Sequence, residues 1–312
     1  MTISLGLLGI VYPDGFVETG YYASTSVGIF LYGNTSTWVN ASNEVNSIGS
    51  VSLDKSTAGN GKYGLAAASY GGDKAIFGYG VSTSGFEDNK TNLVSNLGVV
   101  SADVTGVGTV RLSLAAAGYG GDKAIFGYGT STSTFNLTNL VSNIGVVATD
   151  VTGVGTARHG LAAAGYGSGK AIFGYGFAGG TYYSLTNKVS NTGVVSTDTT
   201  GVGTARYALC AAGIGGDKAI FMNGIPSGAG SWLLTNMVSN TGVVSTDVAY
   251  TNSGGYYQAA STYGGDKAIV AFGSYSTFVN TSNLVTNTGV VGNDITGVGS
   301  ARWQLAAAGF AS

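Results

Sequence analysis

The 312-residue chain contains one cysteine, one histidine, two prolines and few charges, 13 basic and 15 acidic. Each shortage excludes something. A lone Cys210 forms no intrachain disulfide, so nothing in the fold depends on an oxidising compartment. A lone His159 rules out metal centres built from two or three imidazoles and hydroxyl-activating triads in their usual form. The scattered basic residues, at a formal charge of −2, make no phosphate-neutralising patch, so nucleic acid is not an expected partner. Collagen is excluded by the missing Gly-X-Y period, and disorder by a 44% apolar and 11% aromatic content. No apolar run reaches the roughly 18 residues of a membrane helix, so membrane insertion is not expected. The opening MTISLGLLGIVYPDG has no Lys or Arg before its short apolar run, which argues against a secretory signal peptide.

What is abundant is glycine, 54 residues, and repetition. Gly71-Gly72-Asp73-Lys74-Ala75-Ile76-Phe77 recurs with its lysine at Lys123, Lys170, Lys218 and Lys267, at steps of 47 to 49 residues. Val27 to Gly33 (VGIFLYG) is an earlier, degenerate copy, which makes six. Each copy reads as four short segments. In the copy opening at Arg158 they are Arg158 to Tyr166, Lys170 to Gly176, Leu185 to Asn191 and Gly193 to Asp198, all bounded by Gly, Asn, Ser or Asp. Asn-x-Gly at Asn96, Asn143, Asn191, Asn240 and Asn287 repeats a hairpin signal. No stretch has a capped 3.6-residue period, so helix is not expected.

Four strands per unit of about 48 residues, six times over, predicts an all-β fold, a six-bladed β-propeller over residues 27–312. Residues 1–26 remain as an N-terminal arm suited to attachment. The small first strand, as in Leu114-Ala115-Ala116-Ala117-Gly118, fits a crowded centre, with bulkier Ile125, Phe126 and Tyr128 further out. Two segments compete to close the ring as an inner strand beside Val27 to Gly33. Residues 302–310 match the consensus better than Tyr21 to Ser26, so closure by the C-terminal strand is preferred.

Most charges fall in register. Asp54, Asp103, Asp150, Asp198, Asp247 and Asp294 share one repeat position, and eight residues later stand Lys62, Arg111, Arg158, Arg206 and Arg302, with Gly255 in the sixth copy. The pairs Asp103/Arg111, Asp150/Arg158, Asp198/Arg206 and Asp294/Arg302 read as structural connectors between blades. Asp73/Lys74, Asp122/Lys123, Asp217/Lys218 and Asp266/Lys267 are turn pairs. Outside the register the acids are Asp14, Glu18, Glu44, Glu87 and Asp88; Glu87 and Asp88 read as solvated loop charge rather than a glycosidase pair. Four arginines that repeat do not converge on one carboxylate as a sialidase requires. The GVG and GYGG runs lack the following Gly-Lys-Ser/Thr of a phosphate loop. No enzyme activity, cofactor or metal is therefore expected. Sequons at Asn34, Asn40, Asn89, Asn136 and Asn280 are attributed to composition.

The connection between second and third segments varies from copy to copy but always holds an aromatic: Trp38, Phe86, Phe135, Tyr182 or Tyr183, Trp232 and Phe278. Either these rings start the third strand and pack on the blade, or they form a partner-binding face, since variable loops on a rigid scaffold carry contacts.

The Arg opening a small-residue strand, the glycine-flanked turn and the hydrophobic strand KAIFGYG resemble kelch repeats. Gly-Tyr-Gly stands where kelch repeats end in Gly-Gly, and their fourth-strand tryptophan is missing. The unit SNTGVVSTDVTGVGTAR is similar to kelch-like repeats of tailed bacteriophages, notably those of cyanobacteria and marine bacteria, over residues 27–312. That resemblance implies a non-enzymatic virion structural protein, assembled in the bacterial host cytoplasm. Its propeller would sit on a tail fibre, adhesin or receptor-binding appendage, docked to other virion proteins through residues 1–26 and facing a host-surface glycan or protein. Alternatives are a decoration or fibre protein of the capsid head, and a lectin-like propeller with one glycan per blade.

Overall fold

A computed structural model describes residues 4–6, 9–11, 17–18, 26–228, 233–252 and 255–311; they are all-β, with no helix among them. Six antiparallel sheets carry the repeats. Sheet I joins Ala306–Ala311, Ser26–Leu31, Ala41–Val45 and Lys55–Ser56. Sheet II holds Ala66–Tyr70, Lys74–Gly78 and Thr91–Val94, and sheet III holds Ala115–Tyr119, Lys123–Gly127 and Thr138–Val141. Sheet IV is Ala162–Tyr166, Lys170–Ala178 and Thr181–Val189; sheet V is Cys210–Ile214, Lys218–Met222, Leu234–Val238 and Val248–Ala249. Sheet VI is Ala259–Tyr263, Lys267–Ala271 and Ser282–Val285. Ser4–Gly6, Gly9–Val11 and Val17–Glu18 pair as a separate small sheet. The competing segment Tyr21 to Ser26 falls, apart from Ser26, outside the described residues.

The first strands run in order from sheet II through VI to I, each beside the next, and Ala306–Ala311 lies beside Ala66–Tyr70. Small side chains are required there. A Cβ on Gly118 would stand 3.2 Å from the Ser69 carbonyl, and one on Gly165 would stand 3.3 Å from that of Gly118. Between successive sheets lie six separate apolar clusters, from Leu31, Phe77 and Phe310 between I and II to Phe30, Ile269 and Phe272 between VI and I. Each holds fully buried Ile, Val or Phe side chains of the second strands, worth about 1.5–3 kcal/mol apiece.

Two ends of this assembly differ in chemistry. At the hairpin end, the Gly-Gly-Asp-Lys turns join first and second strands. The Asn-x-Gly turns of sheets III, IV and V pack over the neighbouring sheet's Tyr: Gly242 has φ +76, and a Cβ there would stand 2.6 Å from the Tyr166 hydroxyl. At the loop end, six backbone bonds run from sheet to sheet. Ser113 N–H donates to Gly64 O, Gly160 to Ser113, Ala208 to Gly160, Tyr257 to Ala208 and Gln304 to Tyr257, and Gly64 returns the series to Gln304 O, all at 2.7–3.2 Å. These residues have φ between 51° and 64°, a conformation costing a non-glycine residue about 1–2 kcal/mol, which the bond and the buried leucines below offset.

Several expectations are corrected. The first strand begins at Ala162 rather than Arg158, because Arg158 to Leu161 form the turn that makes these bonds. Among the described residues a two-residue outer strand stands only in sheets I and V, at Lys55–Ser56 and Val248–Ala249, just past the expected fourth segment, which ends at Asp54 and Asp247. Elsewhere it is reduced to single bridges, such as Val141 with Val147 and Thr138 with Val151. In all six sheets the third-strand Asn side chain takes over part of the pairing that a longer fourth strand would make, as where Asn139 Nδ2 donates to Ala148 O at 3.0 Å and Asn43 Nδ2 to Ser52 O at 2.9 Å. In sheet IV the variable connection is itself a strand pair, Phe177 opposite Tyr182. The C-terminal segment preferred as partner of Val27 to Gly33 does pair there, Ala306–Ala311 running antiparallel to Ser26–Leu31.

Candidate functional site

The charged register positions form a clasp inside each sheet. Asn43, Asn92, Asn139, Asn187, Asn236 and Asn283 are buried on the third strands, and each donates to the Asp of its own sheet at 2.8–2.9 Å. Thr109, Thr156, Thr204 and Ser300 donate to the same carboxylates of Asp150, Asp198, Asp247 and Asp54 from backbone and hydroxyl. Burial alone would raise the Asp198 carboxyl, but the Thr156 and Asn187 hydrogen bonds and the Arg158 charge outweigh it and hold it below its ordinary value.

The expected pairs eight residues apart do not form. Arg158 Nη1 lies 3.8 Å from Asp198, Arg206 3.7 Å from Asp247 and Arg302 3.5 Å from Asp54, each within one sheet. Asp103 is bound instead by Asn60 and Asn92, beside Lys62; Asp150 belongs with Arg111, and Asp294 is bound by Asn283. Contact between sheets comes from aromatic rings. Arg111, Arg158, Arg206 and Arg302, all fully buried, lie 4.1–5.0 Å over Tyr79, Tyr128, Tyr175 and Phe272 of the preceding sheet. Those tyrosines sit at φ 65–66°, and their hydroxyls donate to Val107, Val154 and Val202 O at 3.1 Å. This gives the tyrosine of each Gly-Tyr-Gly a defined place between sheets. Between sheets V and VI both members change together: Asn223 replaces the ring, Gly255 the guanidinium, and Tyr250 and Gln258 hydrogen-bond to Asn223.

The loop end gathers aromatics. The residue after each Arg position is Tyr63, Leu112, His159, Tyr207, Tyr256 or Trp303, and three of the variable-connection rings meet this residue of the following sheet. Trp38 lies 6.4 Å from Tyr63, Tyr182 5.7 Å from Tyr207, and Phe278 stacks 5.9 Å from Trp303. Over sheets IV, V, VI and I the rings join into one array: His159–Phe177 at 5.6 Å, Phe177–Tyr207 at 5.4 Å, Tyr207–Tyr257 at 6.2 Å and Tyr257–Trp303 at 5.2 Å. Phe135 and Tyr183 are half-buried outside it, Phe86 is 74% exposed on sheet II, and Trp232 lies outside the described residues. Burial pushes the Tyr257 hydroxyl up to about 12 and lowers the His159 imidazole, so the array is neutral at pH 7. Beside the array, among the six turns that make the sheet-to-sheet bonds, is a small pit of about 80 Å³ lined from all six sheets, by Gly64, Ser113, Tyr257, Gln258, Gln304 and leucines among others.

The hairpin end is different. A cavity of about 250 Å³ opens among the turns and continues into one of about 210 Å³ walled by all six first strands. Lys74, Lys123, Lys218 and Lys267 pair with the preceding Asp at 2.5–3.3 Å, whereas Lys170 follows Ser168-Gly169. Ile48, Leu97 and Ile144, each directly before the turn glycine of sheets I to III, are 74–77% exposed, where the other three sheets have Thr192, Thr241 and Thr288.

Among the described residues no group of three or more His, Cys, Asp or Glu side chains could hold a metal ion, and no helix is long and apolar enough to cross a membrane. Asp88, expected in solvent, is buried and accepts from Lys90 N–H at 2.8 Å. The sequon amides of Asn89, Asn136 and Asn280 are engaged, donating to Gly108, Gly155 and Gly299 O at 2.6–2.7 Å. Compared with known protein families and with curated proteins, the chain matches none.

Proposed function

We propose that sheets I to VI are the blades of a six-bladed kelch-like β-propeller, and that it is a non-catalytic display and recognition module of a tailed-phage particle. The propeller reading is supported by the neighbour order of the first strands and by the six loop-end hydrogen bonds that return to their start. The observation that carries the function is the polarity of the two ends. Aromatic rings collect at the loop end. The hairpin end is where Ser26–Leu31 begins, so the arm of residues 1–26 enters there, beside the exposed Ile48, Leu97 and Ile144. An aliphatic arc next to the entry of an apolar arm suits burial against another virion protein, leaving the loop end outward. The phage setting rests on the resemblance of the repeats, and the tail is preferred over the head because an outward recognition face is useful where the host is met. Mass spectrometry of purified particles tests it, with antibody labelling to separate tail from head. The chain should be present, and deletion of residues 1–26 should remove it; absence of the chain from particles would sink the reading.

A further inference from the structure

We infer that the aromatic array over sheets IV, V, VI and I is a single binding site for a neutral oligosaccharide, an inference that rests on the chain being a recognition module. In a molecule whose units repeat nearly every buried contact, the place where they differ is informative. Sheet III has Leu112 at the position after its Arg, Phe86 of sheet II stands apart, and Trp38 and Tyr63 meet as an isolated pair; among the described residues the extended aromatic surface is on the other side of the loop end, running from His159 to Phe278.

The chemistry of that surface selects the ligand. Tyr182, Tyr207, Tyr256 and Trp303 are half-buried and Phe278 is 39% exposed, so rings stay in contact with one another while presenting solvent-facing area. Flat rings edged by hydroxyls suit the alternating C–H faces and hydroxyl rims of pyranoses. The Gln258 and Gln304 amides line the adjacent pit, which has room for a hydroxymethyl group or a water. Charge excludes the competitors. Arg158, Arg206 and Arg302 are fully buried with their donors spent on protein acceptors, His159 is neutral, and the turn lysines lie at the opposite end. Of the other described cations, Lys55 of sheet I lies 2.8 Å from Glu44, Lys188 of sheet IV donates to Thr241 O, and the exposed Lys90 belongs to sheet II, outside the array. The array thus offers no unpaired cation of its own to a phosphate, sulfate or carboxylate, which single-stranded nucleic acid and acidic glycans require alongside stacking. Unlike a one-glycan-per-blade lectin, the site is one and asymmetric.

The full chain is applied to an array of neutral and acidic glycans, and the best binder is titrated by calorimetry and by tryptophan fluorescence. Neutral oligosaccharides should bind, with affinity unchanged between about 0.05 and 0.5 M salt. Tyr207→Ala and Phe278→Ala should each weaken binding at least about tenfold, whereas Phe86→Ala leaves it intact. Should Tyr207→Ala fail to fold, Tyr207→Phe and Phe278→Ala carry the test. Binding confined to acidic glycans, an array blank for neutral ones, or a protein partner lost on the same substitutions would overturn the inference. Presence of the chain in virions together with a blank array would defeat this inference alone; glycan binding by a chain absent from virions would defeat only the phage reading.

Discussion

Replacing Lys62 by Arg should stabilise the protein, because the repeats supply the control. Where an Arg stands, its Nη2 donates to the third-strand Asn, as Arg158 does to Asn187 at 2.6 Å. Lys62 is equally buried but makes one bond, Nζ to Lys90 O at 3.0 Å, and Asn92 Oδ1 is left without a partner. A buried acceptor without its bond costs about 1–3 kcal/mol. A guanidinium would also lie over Tyr32 as its counterparts lie over their rings, worth about 0.5–2 kcal/mol. Both side chains lose similar rotamer freedom, so that cost cancels, and the expected net gain from Lys62→Arg is about 2 kcal/mol. It is read as a rise in the urea midpoint at unchanged slope. The decisive measurement is the double-mutant cycle with Asn92→Ala, where most of the gain should vanish. A gain under about 0.5 kcal/mol, or one of equal size without Asn92, would refute the account of the clasp.

Asp54, Asp103, Asp150, Asp198 and Asp247 are each held below their ordinary value by hydrogen bonds that outweigh burial. Their stabilisation is therefore complete above an unfolded carboxylate value of about 3.9 and is lost as pH falls through the lower folded values. Urea midpoints should drop steeply below about pH 4, with Asp198→Asn removing part of the drop; a midpoint that holds or rises on acidification would contradict this. Cys210 is buried and its thiol is pushed up to about 12 by burial, so a thiol reagent should label it only at the rate of unfolding. Fast labelling of the native protein would show that the contact between sheets V and VI opens locally.

Much of the fold was legible from Lys74 and its four later copies, whose spacing marks the turns, and from the consensus match of residues 302–310, of which the part from Ala306 on pairs with the Ser26–Leu31 strand. The clasp was not. In a repeating chain an Asp such as Asp150 or Asp198 has one Arg eight residues ahead and another a repeat before that one, and spacing cannot say that the outer segment folds back onto its own sheet. The recurrent third-strand Asn, as in Asn139 and Asn187, is the available signal, and it stands out little in a composition this rich in Asn. Its side-chain bond also explains why the fourth strands are shorter than their valines promise. The array was half visible. Phe278 and Tyr182 stand in the variable connections, but Tyr207, Tyr257 and Trp303 occupy register positions, where a search for variable loops does not look.

The strand Ala306–Ala311 completes the sheet begun by Ser26–Leu31. During synthesis at about 5–20 residues per second, the earlier strand waits on the order of 10–60 s for its partner. Through that interval every nascent molecule carries an open strand edge, and the segment that fills it is the same in every copy. At low concentration the final strand returns to its own chain. Where many copies are made close together, the final strand of one molecule fits the first sheet of the next, and the bond that finishes a monomer can exchange between chains and link them.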